Sequence, residues 1–303
     1  MAVNPDPPEL VEVLRRLNGP LHPEPTGMAS RGALKGPVRA VVFDIYGTLM
    51  ISGSGDIGVA EAGRGEAAAH AALRAAGLLR QAPGPSWGVA EAFTDAIRRA
   101  HARALDEGVD YPEVEVREIW QEVVLDLVRQ GRTREPDEAA LERLAVEYES
   151  RTNPVWPMPG AETVIDRLAA AGLHLGVVSN AQFYTPLLFP ALIGRSLAEL
   201  GFDRDLCVWS WRLGRAKPSP LLFQALIAGL QARGIAPAET VYVGNDMLKD
   251  VWAARQAGCQ TALYAGDRRS LRLRAEDGRC RGLVPDAVVT RLTELGPLAG
   301  AGA

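Results

Sequence analysis

From residue 38 onward, short runs of consecutive apolar residues alternate with stretches in which apolar side chains recur every three or four positions. The runs cover 38–44, 173–180, 205–210, 240–246, 260–266 and 287–290, and each ends in small or polar residues. Consecutive apolar positions suit strands buried on both faces. Their alternation with helices predicts an α/β chain with a doubly wound, Rossmann-like parallel sheet. Helices are expected at 161–172, 220–234 and 247–258, each closed by a glycine, the usual left-handed stop.

The alternation breaks between the first and second runs. The gap, about 53–157, far exceeds a single crossover connection. Four helical periodicities lie within it, at 65–77, 87–108, 113–131 and 138–151. The expected organisation is therefore a core of 38–52 and 158–303, a helical cap of 53–157, and an N-terminal helix and irregular arm over 1–37. An insertion at the carboxyl end of the first strand sits where open α/β sheets bind ligands. It is placed to cover a site.

Charge and composition narrow the function. The net charge of −4 on 303 residues comes with scattered basic residues, which excludes a nucleic-acid or anionic-membrane footprint. Cys207, Cys259 and Cys280 are odd in number and widely spaced, against a disulfide framework or zinc site. The N-terminus lacks the basic-then-apolar pattern of a signal peptide, and no apolar run reaches the roughly 20 residues of a membrane span. A cytoplasmic location and a small-molecule substrate are the expectation.

Four strand ends carry the chemistry. Asp44 ends the first apolar run, where a carboxylate can act as a covalent nucleophile if a cation offsets the group it attacks. Gly47 permits a tight turn, Thr48 and Ser179 offer hydroxyls, and Lys217 brings a positive charge. Asp246 and Asp250 add hard oxygen ligands suited to Mg²⁺. Read singly, the two aspartates could cap a helix and Lys217 could be a solvated loop lysine. Together they point to a site.

This order resembles the haloacid dehalogenase superfamily over about residues 38 to 295. Its Asp-x-Asp-Gly-Thr motif is similar to Asp44 to Thr48, its Ser/Thr motif to Ser179-Asn180, its Lys motif to Lys217-Pro218, and its acidic motif to Gly244 to Asp250. The resemblance implies a metal-assisted hydrolase with an aspartyl intermediate, a cap inserted after the first motif, and Mg²⁺ held by Asp44, the Tyr46 carbonyl, Asp246 and Asp250. Catalytic roles then fall on Asp44, Tyr46, Thr48, Ser179, Asn180 and Lys217.

One position departs from the phosphatase pattern. Tyr46 stands where phosphatases of the superfamily carry the aspartate that protonates the leaving alcohol. The dehalogenases have Tyr there, yet they work without metal and lack the acidic pair kept here, and a Tyr of theirs corresponds to Phe223. Mg²⁺-dependent phosphoryl hydrolysis is the expectation; metal-free carbon–halogen hydrolysis and a non-catalytic binding protein are the alternatives. His70 and His101 are the cap residues that could replace the acid, Arg74 and Arg80 lie where a carboxylate clamp would be, and 51–58 reads as a hinge or an anion cradle.

Overall fold

The computed structural model describes residues 7–54, 62–82 and 87–301, with the side chains of 62–64 left out. Its centre is the first apolar run. Ala40–Phe43 forms a strand (β2) whose four residues are all buried, paired in parallel with His174–Ser179 (β5) on one side and Thr240–Gly244 (β7) on the other. Alternate residues face opposite layers. Val41 and Phe43 pack with Val164, Ile165 and Leu168 of the helix Ala161–Ala170 (α6), while Ala40 and Val42 pack with Leu222, Phe223 and Leu226 of Pro220–Gln231 (α7). Each of the larger side chains among these, Val, Leu, Ile and Phe, contributes about 1.5–3 kcal/mol when fully buried, so the strand is fixed from both faces.

The sheet extends outward on both sides. Phe202–Trp209 (β6) lies beyond β5, and Gln260–Tyr264 (β8) and Ala287–Val289 (β9) lie beyond β7, all parallel. All six runs read from the sequence are strands. A seventh, Arg31–Gly32 (β1), pairs antiparallel with β9 at the edge. Two residues within a Gly- and Pro-rich arm carry no strand periodicity, so the pattern could not show it. The helix Pro8–Leu17 (α1) is also tied down: Arg16 Nη2 donates to the buried Glu147 at 2.7 Å, and the Val155 N–H donates to Asn18 Oδ1 at 2.7 Å.

Between β2 and β5 the chain leaves the sheet through a two-stranded antiparallel stalk, Met50–Ser52 (β3) with Val155–Pro157 (β4). The stalk carries Ala62–Ala75 (α2), Val89–Asp106 (α3), Val116–Arg129 (α4) and Glu138–Thr152 (α5). Phe93 stacks on Trp120 with ring centroids 4.3 Å apart, and Tyr148 meets both rings edge-on. This aromatic cluster joins α3, α4 and α5. Residues 55–58 of the glycine-rich stretch lie outside the described residues. Among the described residues no helix is long and apolar enough to cross a membrane, and all three cysteines are free thiols.

Candidate active site

Because β5 and β7 flank β2 in parallel, the carboxyl ends of all three strands open on one crevice. Asp44 follows β2 directly, and Ser179 closes β5 beside it. Ser179 Oγ donates to Asp44 Oδ1 at 2.9 Å, and Lys217 Nζ donates to the same oxygen at 2.8 Å. Among the described residues both side-chain bonds fall on Oδ1, which leaves Oδ2 to meet a ligand.

Lys217 is held from several directions. Its ammonium also donates to Asp250 Oδ1 at 2.6 Å and to the Tyr242 hydroxyl at 2.8 Å. Asn180 clamps its backbone: Oδ1 accepts from the Lys217 N–H at 2.6 Å and Nδ2 donates to the Lys217 carbonyl at 3.4 Å. Burial alone would push the Lys217 pKa down, but Asp250 and Asp44 outweigh it and hold the ammonium above its ordinary range. Burial pushes Asp250 up to about 6, against the pull of Lys217 and helped by the nearby charges of Asp44 and Asp246. The lysine is a fixed cation beside Asp44.

The acidic motif is built around a glycine and a tight helical turn. A Cβ on Gly244 would lie 2.3 Å from Asp250 Cγ, so only glycine lets the Asp250 carboxyl fold back against β7. There Asp250 Oδ2 accepts from the Asp246 N–H at 2.9 Å. Asp246 caps the following turn, its Oδ1 accepting from the N–H groups of Leu248 at 2.8 Å and Lys249 at 3.1 Å. The sequence reads 247–258 as one α-helix. Instead Met247–Trp252 is a π-helical turn, with the Val251 N–H reaching back to Asp246 O, and an α-helical turn follows at Ala253–Gln256 (α8).

Gly47 has φ +81°, and a Cβ there would lie 2.5 Å from Ser270 Cβ and 2.6 Å from Asn245 Nδ2. The tight turn brings Thr48 under the site, where its Oγ1 donates to Asn245 Oδ1 at 3.2 Å. Thr48 is buried and faces Asn245, not the cavity. Tyr46 does line the cavity, and its hydroxyl shares a hydrogen bond of 2.9 Å with Thr185 Oγ1. Burial, with the Glu149 carboxyl nearby, pushes the Tyr46 pKa up. The phenol keeps its proton firmly.

Several neighbours were missed by sequence reasoning. Tyr242 sits in the middle of an apolar strand, and its hydroxyl on Lys217 is signalled only by a polar atom in a core position. Arg272 and Arg274 come from the connection between β8 and β9. Its backbone bonds alongside the acidic motif, Arg272 N–H to Asn245 O at 3.0 Å and Met247 N–H to Arg272 O at 2.8 Å. Arg274 has φ +51° and grips Asp246 Oδ2 with Nε at 3.1 Å and Nη2 at 2.6 Å. A non-glycine residue in this conformation is strained and is often found at functional sites. The basic run in 268–281 is the only hint the sequence offers.

The resulting cavity is small, about 70 Å³, and is lined by Asp44, Asp246 and Asp250 against Lys217, Lys249, Arg272 and Arg274. Among the described lining residues cations outnumber carboxylates, which favours an anionic ligand. His70 lies 2.8 Å from Glu66 and edge-on to Trp87, and lines neither this cavity nor the larger one beside it. Arg74 and Arg80 are exposed and line neither. His101 does face the larger cavity. Phe223 is in the core, its ring 5.1 Å from that of Tyr242.

The family model of haloacid dehalogenase-like hydrolases matches residues 38–258, most of the chain and all four strand ends just described. The chain belongs to that family. A phosphoglycolate phosphatase of Xylella fastidiosa is 33% identical to this hydrolase over 142 residues, 45% of this chain and 58% of that protein's length. A phosphoserine phosphatase of Thermus thermophilus is 30% identical over 194 residues, 63% of this chain and 72% of that protein. The crystal structure of a 2-haloacid dehalogenase from Pseudomonas syringae superposes with a TM-score of 0.54 over 87% of this chain and 98% of that one. At 20% identity it shares the fold.

Metal-dependent chemistry in such a hydrolase needs oxygens able to hold a hard cation. Among the described residues no group of three or more His, Cys, Asp or Glu side chains stands ready for one. The donor chemistry nonetheless fits Mg²⁺. Asp44, Tyr46 and Asp246 line one cavity, and the backbone N–H groups on Oδ1 fix the Asp246 carboxylate with Oδ2 turned to Arg274. Asp250 commits both oxygens to Lys217, Tyr242 and the Asp246 N–H, so it orients the site. Lys217 pairs with Asp250 and Arg274 with Asp246, so protein cations already offset both carboxylates.

Proposed function

We propose that this hydrolase cleaves the phosphoryl group from a small organic phosphate, with Asp44 as the nucleophile and Mg²⁺ as cofactor. The observation that carries the reading is Asp44, oriented by Ser179 and by the buried ammonium of Lys217 at the edge of the cavity. The phosphatase names of the two relatives at 30% and 33% identity support it.

In this reading an Asp44 oxygen attacks phosphorus, the bond to the leaving oxygen breaks, and that oxygen departs with the electron pair. Water then attacks phosphorus, releasing phosphate and restoring the Asp44 carboxylate. Lys217 offsets the negative charge gathered between nucleophile and phosphoryl oxygens. Asn180 and Tyr242 keep that lysine in place. Mg²⁺, held by Asp44, the Tyr46 carbonyl and Asp246, would supply further charge neutralisation and orient the phosphoryl oxygens. A panel of phosphorylated and halogenated metabolites, with and without Mg²⁺, tests the reading. Phosphate release that requires the metal is expected; halide release in chelator would favour the metal-free alternative, to which Tyr46 and the Arg274 grip on Asp246 both lend weight.

Arg274 sets a specific expectation for the metal. Mg²⁺ titrated calorimetrically should bind about tenfold more weakly to Asp246→Ala, and more tightly to Arg274→Gln, which removes the competing guanidinium. Equal affinities in all three proteins would remove Asp246 from the metal site.

Tyr46 sets another. A phenol whose pKa is pushed up is a poor proton donor, so leaving groups that need no proton should react fastest. Acyl and aryl phosphates should be hydrolysed much faster than alkyl phosphates, and Tyr46→Phe should change each rate less than about threefold. Efficient alkyl phosphate hydrolysis lost in Tyr46→Phe would make the tyrosine the proton donor.

A further inference from the structure

The cavity at Asp44 is continuous in its lining with a second, larger one of about 410 Å³ beneath the inserted helices, since Asn180 and Lys249 line both. A phosphoryl group at Asp44 would direct the rest of its substrate there. The volume falls in the range of sites for drug-sized ligands, well beyond the two or three carbons of a glycolate or serine moiety. Phe93, Ile97, Val114 and Tyr148 form apolar walls.

Among these walls lies a carboxyl group that the proposed chemistry does not use. Glu149, near the end of α5, lines the cavity and accepts from Asn153 Nδ2 at 3.0 Å. Burial pushes its pKa up, and the groups acting against that are the neutral side chains of Asn153 and Tyr184. Burial also pushes up the pKa of Glu113, the other acid on the cavity, but there Ser210 Oγ donates at 2.8 Å and the charge of Lys249 acts against the shift. Arg98, also on the lining, pairs with Asp95. Among the described residues no cation pairs with Glu149, and a half-buried carboxylate so placed gains most from a cation brought by a ligand. A second polar atom points the same way. His101 Nε2 is buried with no hydrogen-bond partner among the described residues, and burial lowers the pKa of the ring and favours its neutral form, which can accept a hydrogen bond.

We propose that the larger cavity holds the leaving group of the substrate, and that this group combines an apolar, ring-sized body with a basic nitrogen that pairs with Glu149. The inference rests on the phosphatase reading of Asp44 for its orientation and extends it to a substrate class. The apolar body replaces water against Phe93 and Ile97, and the ammonium supplies the counter-charge that no described residue gives Glu149.

Two aryl esters with nearly the same phenolic leaving group isolate the nitrogen: tyramine O-phosphate and 4-ethylphenyl phosphate. Wild type should show kcat/KM at least about tenfold higher for the amine ester, the effect of one charge-assisted hydrogen bond. Glu149→Gln should bring that ratio close to one. Calorimetry with the dephosphorylated compounds reads the cavity without turnover and without a variant: tyramine should bind wild type more tightly than 4-ethylphenol. Equal kcat/KM for the two esters, a ratio unchanged in Glu149→Gln, or equal binding of the two phenols would each overturn the proposal. If both esters are inert while tyramine still binds preferentially, the phosphatase reading falls and the amine site stands.

Discussion

Asp44→Asn is expected to reduce turnover by about 10⁴-fold or more while leaving the fold intact. The amide keeps the shape of the side chain and can still meet Ser179 and Lys217, whose bonds converge on Oδ1. It cannot form the covalent bond. Lys217 retains Asp250 and Tyr242 as partners, so its ammonium stays paired. Circular dichroism and urea unfolding should match wild type. Residual activity above about a hundredth of wild type would show that another group attacks, since losing a covalent nucleophile removes several kcal/mol of transition-state stabilisation.

The second large effect is expected at Lys217. Lys217→Ala leaves Asp44 and Asp250 facing one another with no cation between them, and Asp250 is almost fully buried. Removing one partner of a buried ionic group costs about 3–5 kcal/mol. A comparable loss should appear in urea unfolding, together with activity reduced by about 10³-fold, because the charge beside the phosphoryl oxygens is gone. Adding Asp250→Asn to Lys217→Ala should restore part of the stability by removing one stranded carboxylate. It should not restore activity. This divergence separates the lysine's structural task from its catalytic one, and recovery of both together would mean that the lysine serves folding alone.

How much of this was legible in the sequence follows from where the signals reside. Strands buried on both faces read as continuous apolar runs, so the six parallel strands were visible, and Asp44, Ser179, Lys217 and Asp246 could be set at or near their carboxyl ends. Arg31–Gly32 could not be seen, because an edge strand of two exposed residues has no period. The stalk of β3 and β4 was also hidden, since Met50–Ser52 and Val155–Pro157 pair across more than a hundred residues of intervening chain. The π-helical turn after Asp246 depends on Asp250 folding back on Gly244, a contact that helical periodicity does not encode.

The same limit applies within the site. Motif residues close to strand ends were brought together as expected. Arg274 was not foreseen, because it reaches Asp246 only through a connection whose backbone bonds to residues 245 and 247. Tyr242 and Glu149 were hidden for a related reason: each lies in an element defined by apolar packing, and only the tertiary fold shows what its polar atom meets. Arg74 and Arg80 were chosen by their place along the insertion, and both are exposed, Arg74 on α2 and Arg80 in the bend beyond its end.

The central claim is a covalent phosphoryl intermediate on Asp44, and it can be read directly. The wild-type protein turning over acetyl phosphate or 4-ethylphenyl phosphate would be quenched in acid, reduced with borohydride, digested and examined by mass spectrometry. An acyl phosphate reduces to an alcohol, so the account predicts homoserine in place of aspartate at position 44 and nowhere else. Sustained hydrolysis with an unmodified Asp44, or reduction at a different carboxylate, would contradict it.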